Sequence, residues 1–294
     1  MSAEAPRLTI VVVAYRGREL LERCLRSLEE HPLRSGAMET HVVDNASGDD
    51  TPEFVRRAFP GVHVHALAHN SGFSFANNVV LRAAESPYSL LLNPDTEVTE
   101  GALDAMVATL ESRPDVGMVG CRLVQPDGTF DHAAKRGFPT PLGALSHFLG
   151  LSDRGGSKLG QYRAPDLGEH DVGEVDAVNG AFMLVRREAL EDVGLLDEGY
   201  WLYMEDLDWC YRFWKKGWKV LYDGRATVIH VKGGTAGAHR ALKTNWAFHR
   251  GMGRFYRQWY AGEKPALDAL VYGGVLAKFA VAATRSTIHR RSLR

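Results

Sequence analysis

The chain has 294 residues, of which 45% are hydrophobic and 24% are charged, the composition of an ordinary globular protein. A formal net charge of −1 argues against a nucleic-acid-binding protein, which would carry a basic surface. Three scattered cysteines are too few for a disulfide framework or a zinc site, and their apolar neighbours predict buried core residues.

The first 124 residues predict strands that alternate with helices. An apolar β-branched run at residues 8–14 is typical of a strand buried on both faces. The alternation then continues with helices at 18–30, 51–59, 71–85 and 102–112 and strands at 41–45, 62–67, 88–93 and 116–124. Such alternation predicts an α/β fold with a mainly parallel central sheet and helices on both faces.

The alternation stops at residues 126–172, a long segment rich in Gly, Pro and charge. We interpret a connection of this length as a functional loop or lid. A strand and a helix ending at Gly194 follow, then a helix ending at Gly217 and two strands within residues 218–231.

Residues 266–284 are mostly apolar but contain Asp268 and Lys278, which argues against a membrane span. Basic residues follow them to the end of the chain. Two interpretations fit: an interfacial helix with a basic flank, or a helix docked on the domain. The first fifteen residues do not resemble a signal peptide, so we expect a reducing, cytoplasmic location.

Carboxylates stand at the ends of three apolar runs: Asp44 in VVDNASGDDT, Asp95 in LLLNPDTEV, and Glu205 with Asp206 in YWLYMEDLDWC. His230 ends a fourth run. In open α/β sheets the ligand crevice lies outside the carboxyl ends of the strands. These side chains therefore predict a site that combines a divalent metal, a nucleotide and a general base.

Each of these groups also has a structural interpretation. Asp44 stands in a sequence with strong turn chemistry, and Asp95 could cap a following helix. Glu205, Asp206 and Asp208 would be favourable in the first turn of any helix. The other eleven histidines show no ligand spacing along the chain.

The turn after the first strand, AYRGR at 14–18, is neither G-x-G-x-x-G nor a P-loop. Without a glycine-rich phosphate loop, a metal and cationic side chains must offset the charge of a diphosphate. Lys135 and Arg136 are candidates for that contact or for the acceptor, and the alternative is that they are solvated loop charges.

Together these segments resemble the inverting family 2 glycosyltransferases of the GT-A fold, and most of all bacterial rhamnosyltransferases that build cell-surface polysaccharide. The matching segments run in the family's order over about residues 8–235: VVVAYRG (11–17), VVDNASGDDT (42–51), HNSGFSFANN (69–78), LLLNPDTEV (90–98), the stretch 178–212 and the strand ending at His230. The resemblance implies a GT-A catalytic domain at 1–240, with a nucleotide-binding half at about 1–125 and an acceptor-side half at 126–240. A helical C-terminal extension would occupy 241–294.

The resemblance also implies roles for individual residues. Asp206 would be the general base, assisted by Glu205, and Asp95 with His230 would hold Mg²⁺ or Mn²⁺. Asn93 stands where the family's D-x-D motif has its first acidic residue, which leaves the metal one carboxylate fewer. Residues expected to contact the donor are Ala14, Tyr15, Asp44, Asn70, Gly72, Asn77, Asn93 and Asp95.

The resemblance implies transfer of a sugar, with L-rhamnose from dTDP-rhamnose favoured, to a hydroxyl of a glycan or lipid-linked acceptor. The alternatives are a UDP-sugar donor carrying galactofuranose, N-acetylglucosamine or glucose, a nucleotidyltransferase, and a non-catalytic GT-A-fold binding module. The expected partners are the nucleotide sugar, the acceptor and, through 266–294, the cytoplasmic face of a membrane. A homodimer is left open, and nucleic acid is not expected.

Overall fold

The computed structural model describes residues 5–139, 167–231, 241–262 and 264–292. Within these ranges the strands are β1 (Leu8–Ala14), β2 (Met38–Asp44), β3 (Val62–Ala66), β4 (Tyr88–Leu92), β5 (Thr96–Val98), β6 (Val116–Val124), β7 (Lys135–Arg136), β8 (Val172–Glu174), β9 (Ala177–Val178), β10 (Phe182–Arg186) and β11 (Lys219–His230). The α-helices are α1 (Arg18–Glu30), α2 (Thr51–Ala58), α3 (Phe73–Leu81), α4 (Ala102–Ser112), α5 (Arg187–Val193), α6 (Glu205–Lys215), α7 (Leu242–Trp259) and α8 (Pro265–Ser292). A 3₁₀ turn covers His132–Ala134.

One sheet of nine strands forms the centre of the described structure, in the order β3-β2-β1-β4-β10-β6-β11-β5, with β8 beside β11. All seven residues of β1 are buried, because this strand lies between β2 and β4 and is parallel to both. A strand covered on both sides and both faces needs the continuous apolar run that residues 8–14 provide. The predicted α/β class with a mostly parallel sheet is confirmed.

β10 runs antiparallel to both of its neighbours, β4 and β6. Its first residue, Phe182, therefore pairs with Leu92 at the carboxyl end of β4. The turn that precedes β10 is thereby placed at the same sheet edge as the carboxyl ends of β1, β2 and β4. The acceptor-side half predicted at 126–240 supplies β10 and β11 to this sheet, so the two halves build one sheet.

The sequence predicted two strands within residues 218–231, but the structure has a single strand there, β11. Its pairing with β6 shifts register between Asp223 and Thr227, where the strand bulges. Asp223 is fully buried in the bulge and accepts hydrogen bonds from Thr109 Oγ1 and from the Arg225 side chain. The turn residues that suggested a break between strands instead form this bulge.

The long segment at 126–172 is described in part. Residues 131–136 form the 3₁₀ turn and then β7, which pairs with β9 in a small separate sheet. Residues 140–166 lie outside the described residues, and the prediction of a lid falls mostly on them. The three cysteines are buried, as predicted.

The C-terminal helices α7 and α8 attach differently to the rest of the protein. α7 is held by hydrogen bonds from Trp259 Nε1 to Asp208 and from Arg254 to Asp197. α8 contacts α7, for example where Tyr256 Oη donates to Asp268, while Leu276 on α8 stays 67% exposed. By length and composition alone, Pro265–Thr284 is long and apolar enough to cross a membrane, with a mean hydropathy of 1.6 and 11% of it buried.

Candidate functional site

The predicted site residues gather at one edge of the sheet, where β1, β2, β4 and β11 end and β10 begins. Backbone contacts join these ends: Asn45 N donates to Ala14 O at 2.7 Å, and Asn93 N donates to Ala181 O at 3.0 Å. The edge is therefore one continuous surface, in the position where open α/β sheets bind their ligands.

Asp44 ends β2 and is almost fully buried. Its Oδ2 accepts a hydrogen bond from Ser47 N at 3.2 Å, as the turn interpretation expects. Its Oδ1 is buried without a hydrogen-bond partner among the described residues. The turn therefore uses one oxygen of this carboxylate and leaves the other for a ligand.

Two non-glycine residues beside Asp44 have positive φ: Arg16 at 62° and Ala46 at 61°. Ser47 Oγ accepts a hydrogen bond from Arg16 N at 2.7 Å and so holds the two loops together. Such conformations persist only where the surrounding structure enforces them, and they cluster at ligand sites. Tyr15 is 41% exposed at this point, so its ring is available to a base, whereas Ala14 is buried.

The segment HNSGF at 69–73 is fixed by Asn45 and Trp201. The Asn45 side chain accepts from Ser71 N at 2.8 Å and donates to Gly72 O at 3.1 Å. Gly72 has φ +90°, and a Cβ there would lie 2.4 Å from Trp201 O, so only glycine fits. Asn70 Oδ1 accepts from Gly72 N at 3.1 Å. The close approach of Gly72 to Trp201 brings the donor-side loop against the residues that lead into α6.

Asn77 is one of the residues expected to contact the donor. It is buried in α3, and its side chain donates to Phe73 O at 2.9 Å. This hydrogen bond lies within α3 itself and fixes the orientation of the side-chain amide.

Asp95 and His230 meet at the end of β11. Asp95 Oδ1 lies 3.4 Å from His230 Nε2, and Asp95 O accepts from Val231 N at 2.8 Å. The strand that follows Asp95 is β5, so the interpretation of Asp95 as a helix cap is wrong. The two residues predicted to hold a metal are therefore neighbours, and both are buried.

Asp131 completes this cluster and was not predicted. Its Oδ2 lies 3.6 Å from His230 Nδ1, and its Oδ1 accepts from Ala133 N at 3.0 Å at the start of the 3₁₀ turn. The imidazole thus lies between two buried carboxylates, one facing each nitrogen. The only local signal for Asp131 was its place after a Pro-Asp-Gly turn.

The donor set suits a divalent cation. Carboxylate oxygens and an imidazole nitrogen are accepted ligands of Mn²⁺, and carboxylates of Mg²⁺. A separation of 3.4 Å between Asp95 Oδ1 and His230 Nε2 is close to that of two neighbouring ligands around one ion. Asp95 and His230 thus fit the role expected of them.

His230 has a perturbed pKa. Burial opposes its protonation, but the facing carboxylates of Asp131 and Asp95 outweigh burial and raise the pKa of His230 to about 9. Without a metal, the imidazolium balances the two carboxylates. A metal ion would take over that charge, and His230 would have to lose its proton to bind it.

Asp206 lies in the first turn of α6 and is held by three donors. Arg136 donates to its Oδ2, Gly180 N donates to the same oxygen at 3.2 Å, and Leu207 N donates to Oδ1 at 2.8 Å. Arg136 is buried, so its interpretation as a solvated loop charge is wrong. Lys135 is also buried, and its Nζ donates to Gly168 O at 3.2 Å.

Glu205 precedes Asp206 and is buried, with Oε2 lacking a hydrogen-bond partner among the described residues. Burial, and then the neighbouring Asp206 charge, raise the pKa of Glu205 above its ordinary range. Tyr203 and Met204, just before it, have φ of 69° and 72°. After this strained entry, the Asp206 carboxylate reaches Gly180 in the turn before β10.

Asp208, the third acidic residue of the run, has a structural role. It is fully buried, pairs with Arg212 at 2.9 Å and accepts from Trp259 Nε1 at 2.9 Å. It therefore joins α6 to α7.

Comparison with known proteins gives one consistent result. Residues 6–249 match the model of the glycosyltransferase like family 2. The chain is 30% identical over 244 residues, 78% of each chain, to N-acetylglucosaminyl-diphospho-decaprenol L-rhamnosyltransferase of Mycobacterium tuberculosis.

Two solved structures have the same fold. GalNAc-T7 with UDP, GalNAc and Mn²⁺ superposes with a TM-score of 0.64 at 17% identity, covering 96% of this chain and 55% of that one. This chain thus spans little more than half the length of that protein. The mannosyltransferase PcManGT of Pyrobaculum calidifontis, in complex with GDP-Man and Mn²⁺, superposes with a TM-score of 0.60 at 19% identity, covering 96% of this chain and 76% of that one. Both support the GT-A fold.

Proposed function

Because the chain belongs to glycosyltransferase family 2 and is a glycosyltransferase of cell-surface glycan synthesis, we propose that it moves L-rhamnose from dTDP-rhamnose to a hydroxyl of a lipid-linked glycan, with inversion at the anomeric carbon. The family match supports a glycosyltransferase over the nucleotidyltransferase and binding-module alternatives.

One observation carries the catalytic part of the proposal. In the turn before β10, Gly180 N donates to Asp206 and the next residue, Ala181, accepts from Asn93 N. The proposed base and the loop that leads to Asp95 are thus attached to adjacent residues of one rigid turn. A site that must align a base, a sugar and a diphosphate requires such fixed spacing.

In the proposed mechanism, Asp206 accepts the proton of the acceptor hydroxyl, and the oxygen attacks the anomeric carbon from the face opposite the diphosphate. Arg136 and Gly180 N both donate to Asp206 Oδ2 and so fix the orientation of the proposed base. Asp95 and His230 would hold Mg²⁺ or Mn²⁺, which would offset the charge on the departing diphosphate. Glu205 would assist Asp206 or contact the acceptor.

The positions of the donor-side residues favour binding of the nucleotide at the carboxyl ends of β1 and β2. The unpaired Asp44 Oδ1 would accept a hydrogen bond from the base or the ribose, and Tyr15 would cover the base. The choice of dTDP-rhamnose depends on the rhamnosyltransferase relative. The alternative donor is a UDP-sugar, since one structural neighbour holds UDP.

The acceptor side extends toward a membrane. α8 keeps apolar residues exposed, with Leu270 at 57% and Val281 at 53%, and the last turns of its sequence are basic, with Arg285, Arg290 and Arg291. A helix of this kind would lie against an anionic membrane surface, where a lipid-linked acceptor would be presented. We therefore propose that the protein works at the cytoplasmic face of the membrane.

The proposal is tested by titrating the full chain calorimetrically with dTDP, UDP and GDP, each with and without Mn²⁺. Mn²⁺-dependent preference for dTDP, followed by transfer from dTDP-rhamnose to a polyprenyl-diphosphate-linked sugar, is the expected result. Preference for UDP would keep the enzyme class and replace the sugar. Binding of none of the three by folded protein would contradict the donor assignment.

A further inference from the structure

Three histidines and a glutamate cluster on β2 and β3, away from the site described above. The parallel pairing of these strands places His41 opposite His63, and residues two apart on a strand share a face. Glu39 therefore lies beside His41, and His65 beside His63. Spacing along the chain gave no ligand signal for these histidines, because the register of the two strands brings them together.

The side chains are in direct contact. The rings of His41 and His63 stack with centroids 4.7 Å apart, and those of His41 and His65 with centroids 5.3 Å apart. One ligand atom each of Glu39, His41 and His63 lies within 4.8 Å of the others. Shifts of about an ångström would bring all three to one ion, whose bonds to such ligands are about 2.0–2.2 Å long.

The orientation of His41 suits coordination. Its Nδ1 lies 3.0 Å from His65 Nε2, a hydrogen bond that fixes the ring. Its Nε2 is buried, lacks a hydrogen-bond partner among the described residues, and lies 3.5 Å from Glu39 Oε1. A metal-binding histidine generally has this arrangement, with one nitrogen held by a partner and the other toward the ion.

The Glu39 carboxylate is also held in place by a hydrogen bond. Thr9 Oγ1, on the neighbouring strand β1, donates to Glu39 Oε1 at 2.7 Å. Glu39 and His41, the two partly buried members of the cluster, thus each have an outer partner that holds the side chain in place. His63 is exposed, which gives an ion access and leaves a coordination position open to solvent.

We propose that Glu39, His41 and His63 form a second metal site, selective for a transition-metal dication such as Zn²⁺. Two imidazole nitrogens and one carboxylate favour Zn²⁺ over Mg²⁺, which prefers oxygen ligands. His41 is three residues before Asp44, about 10 Å along the strand, so this ion is separate from the donor contact. It would fasten the edge strand β3 to β2.

The experiment measures Zn²⁺ affinity and stoichiometry of the full chain by competition with a chromophoric chelator. To separate the two metal sites, it is carried out in the Asp95→Asn background. The expected result is one bound Zn²⁺ in that background. His63→Ala should weaken it by more than ~100-fold, since loss of an outer partner alone costs ~10–100-fold, and His65→Ala should weaken it by ~10-fold.

His170→Ala is the matched control, because His170 Nε2 also lies 3.5 Å from a glutamate oxygen, Glu169 Oε1, but without a second histidine. It should leave Zn²⁺ affinity unchanged. If His63→Ala fails to fold by circular dichroism, His63→Gln replaces it, and Zn²⁺ should raise the Tm of the parent but not of this variant. Unchanged Zn²⁺ affinity in the folded His63 variant, or loss of all Zn²⁺ binding on Asp95→Asn alone, would overturn the proposal.

Discussion

Arg136 donates to Asp206 Oδ2 and, at 2.6 Å, to Val178 O, so one guanidinium joins β7, β9 and the first turn of α6. Both side chains are largely buried, at 9% and 13% exposure. This pair determines where the proposed base points. Arg136 is accordingly a positioning residue for Asp206.

Replacing Arg136 should affect stability and turnover together. Arg136→Met leaves Asp206 without its cation, which should cost about 3 kcal/mol of unfolding free energy in urea. Turnover should fall at least ~10-fold, because a misplaced base loses most of its contribution, while the Kd of the donor nucleotide stays near wild type. Arg113→Met, which breaks an exposed Arg–Asp pair, should cost less than ~1 kcal/mol. Wild-type turnover in Arg136→Met would remove the positioning role.

Asp206→Asn tests the base itself. The amide keeps the shape of the side chain but cannot accept the acceptor proton, so kcat should fall by about 10²–10⁴-fold. Calorimetric binding of the nucleotide with Mn²⁺ should be retained, since the described hydrogen bonds of Asp206 are with Arg136, Gly180 and Leu207 and not with the proposed metal ligands. Asp192→Asn, at an exposed aspartate paired with Lys216, should leave turnover unchanged. A variant that transfers sugar at the wild-type rate would eliminate Asp206 as the base.

Metal binding at His230 should depend on pH. The raised pKa, about 9 against an ordinary 6.5, means that the His230 proton stabilises the metal-free fold fully below pH 6.5, and this contribution is lost as pH rises through 9. Mn²⁺ must displace that proton, so its affinity should increase about tenfold per pH unit between about 7 and 9.

Calorimetry in two buffers of different ionisation enthalpy checks the Mn²⁺ prediction. Close to one proton should be released per Mn²⁺ at pH 7.5, and His230→Asn should abolish that release while His170→Asn preserves it. Equal heats in the two buffers for the wild-type protein would show that His230 is not protonated in the metal-free state.

The sequence predicted those parts of the site that follow from where strands end. Asp44, Asp95 and His230 each close an apolar run, and the ends of neighbouring strands must share an edge. The sequence did not single out Asp131, and it named Arg136 without its contact to Asp206, because both contacts depend on how residues 130–139 fold across the sheet. Arg136 is 70 positions from Asp206, and no local pattern encodes such a pair.

The histidine cluster shows the same limit. His63 and His65 alternate on one strand, so a shared face was readable from the chain alone. That His41 lies opposite them depends on the register of β2 against β3, which the sequence does not reveal. Asp208 shows that a local pattern can also suggest a site residue that has a structural role. It belongs to the same acidic run as the proposed base, but it holds α7 in place.

Glu205→Gln should stabilise the protein, and more so at high pH. Because the folded pKa is raised above the ordinary 4.5, burial of Glu205 costs nothing below that pH and increasingly more as pH rises. The variant should match wild type near pH 4.5 and gain about 1–2 kcal/mol at pH 8 in urea unfolding. Glu53→Gln, at a glutamate 69% exposed, should leave the unfolding free energy unchanged at both pH values. A gain independent of pH would contradict the buried, neutral carboxyl.

The exposed face of α8 should bind anionic membranes. Leu276 is 67% exposed, and burying a leucine in lipid contributes about 1.5–3 kcal/mol, so Leu276→Gln should reduce co-sedimentation with phosphatidylglycerol vesicles about tenfold. Val172→Ser, at a residue 42% exposed on β8, is the control and should bind vesicles like wild type. Binding should also weaken in high salt, because the basic residues in the C-terminal part of the α8 sequence contribute attraction that salt screens. Equal sedimentation of Leu276→Gln and wild type would mean that α8 serves only to pack against α7.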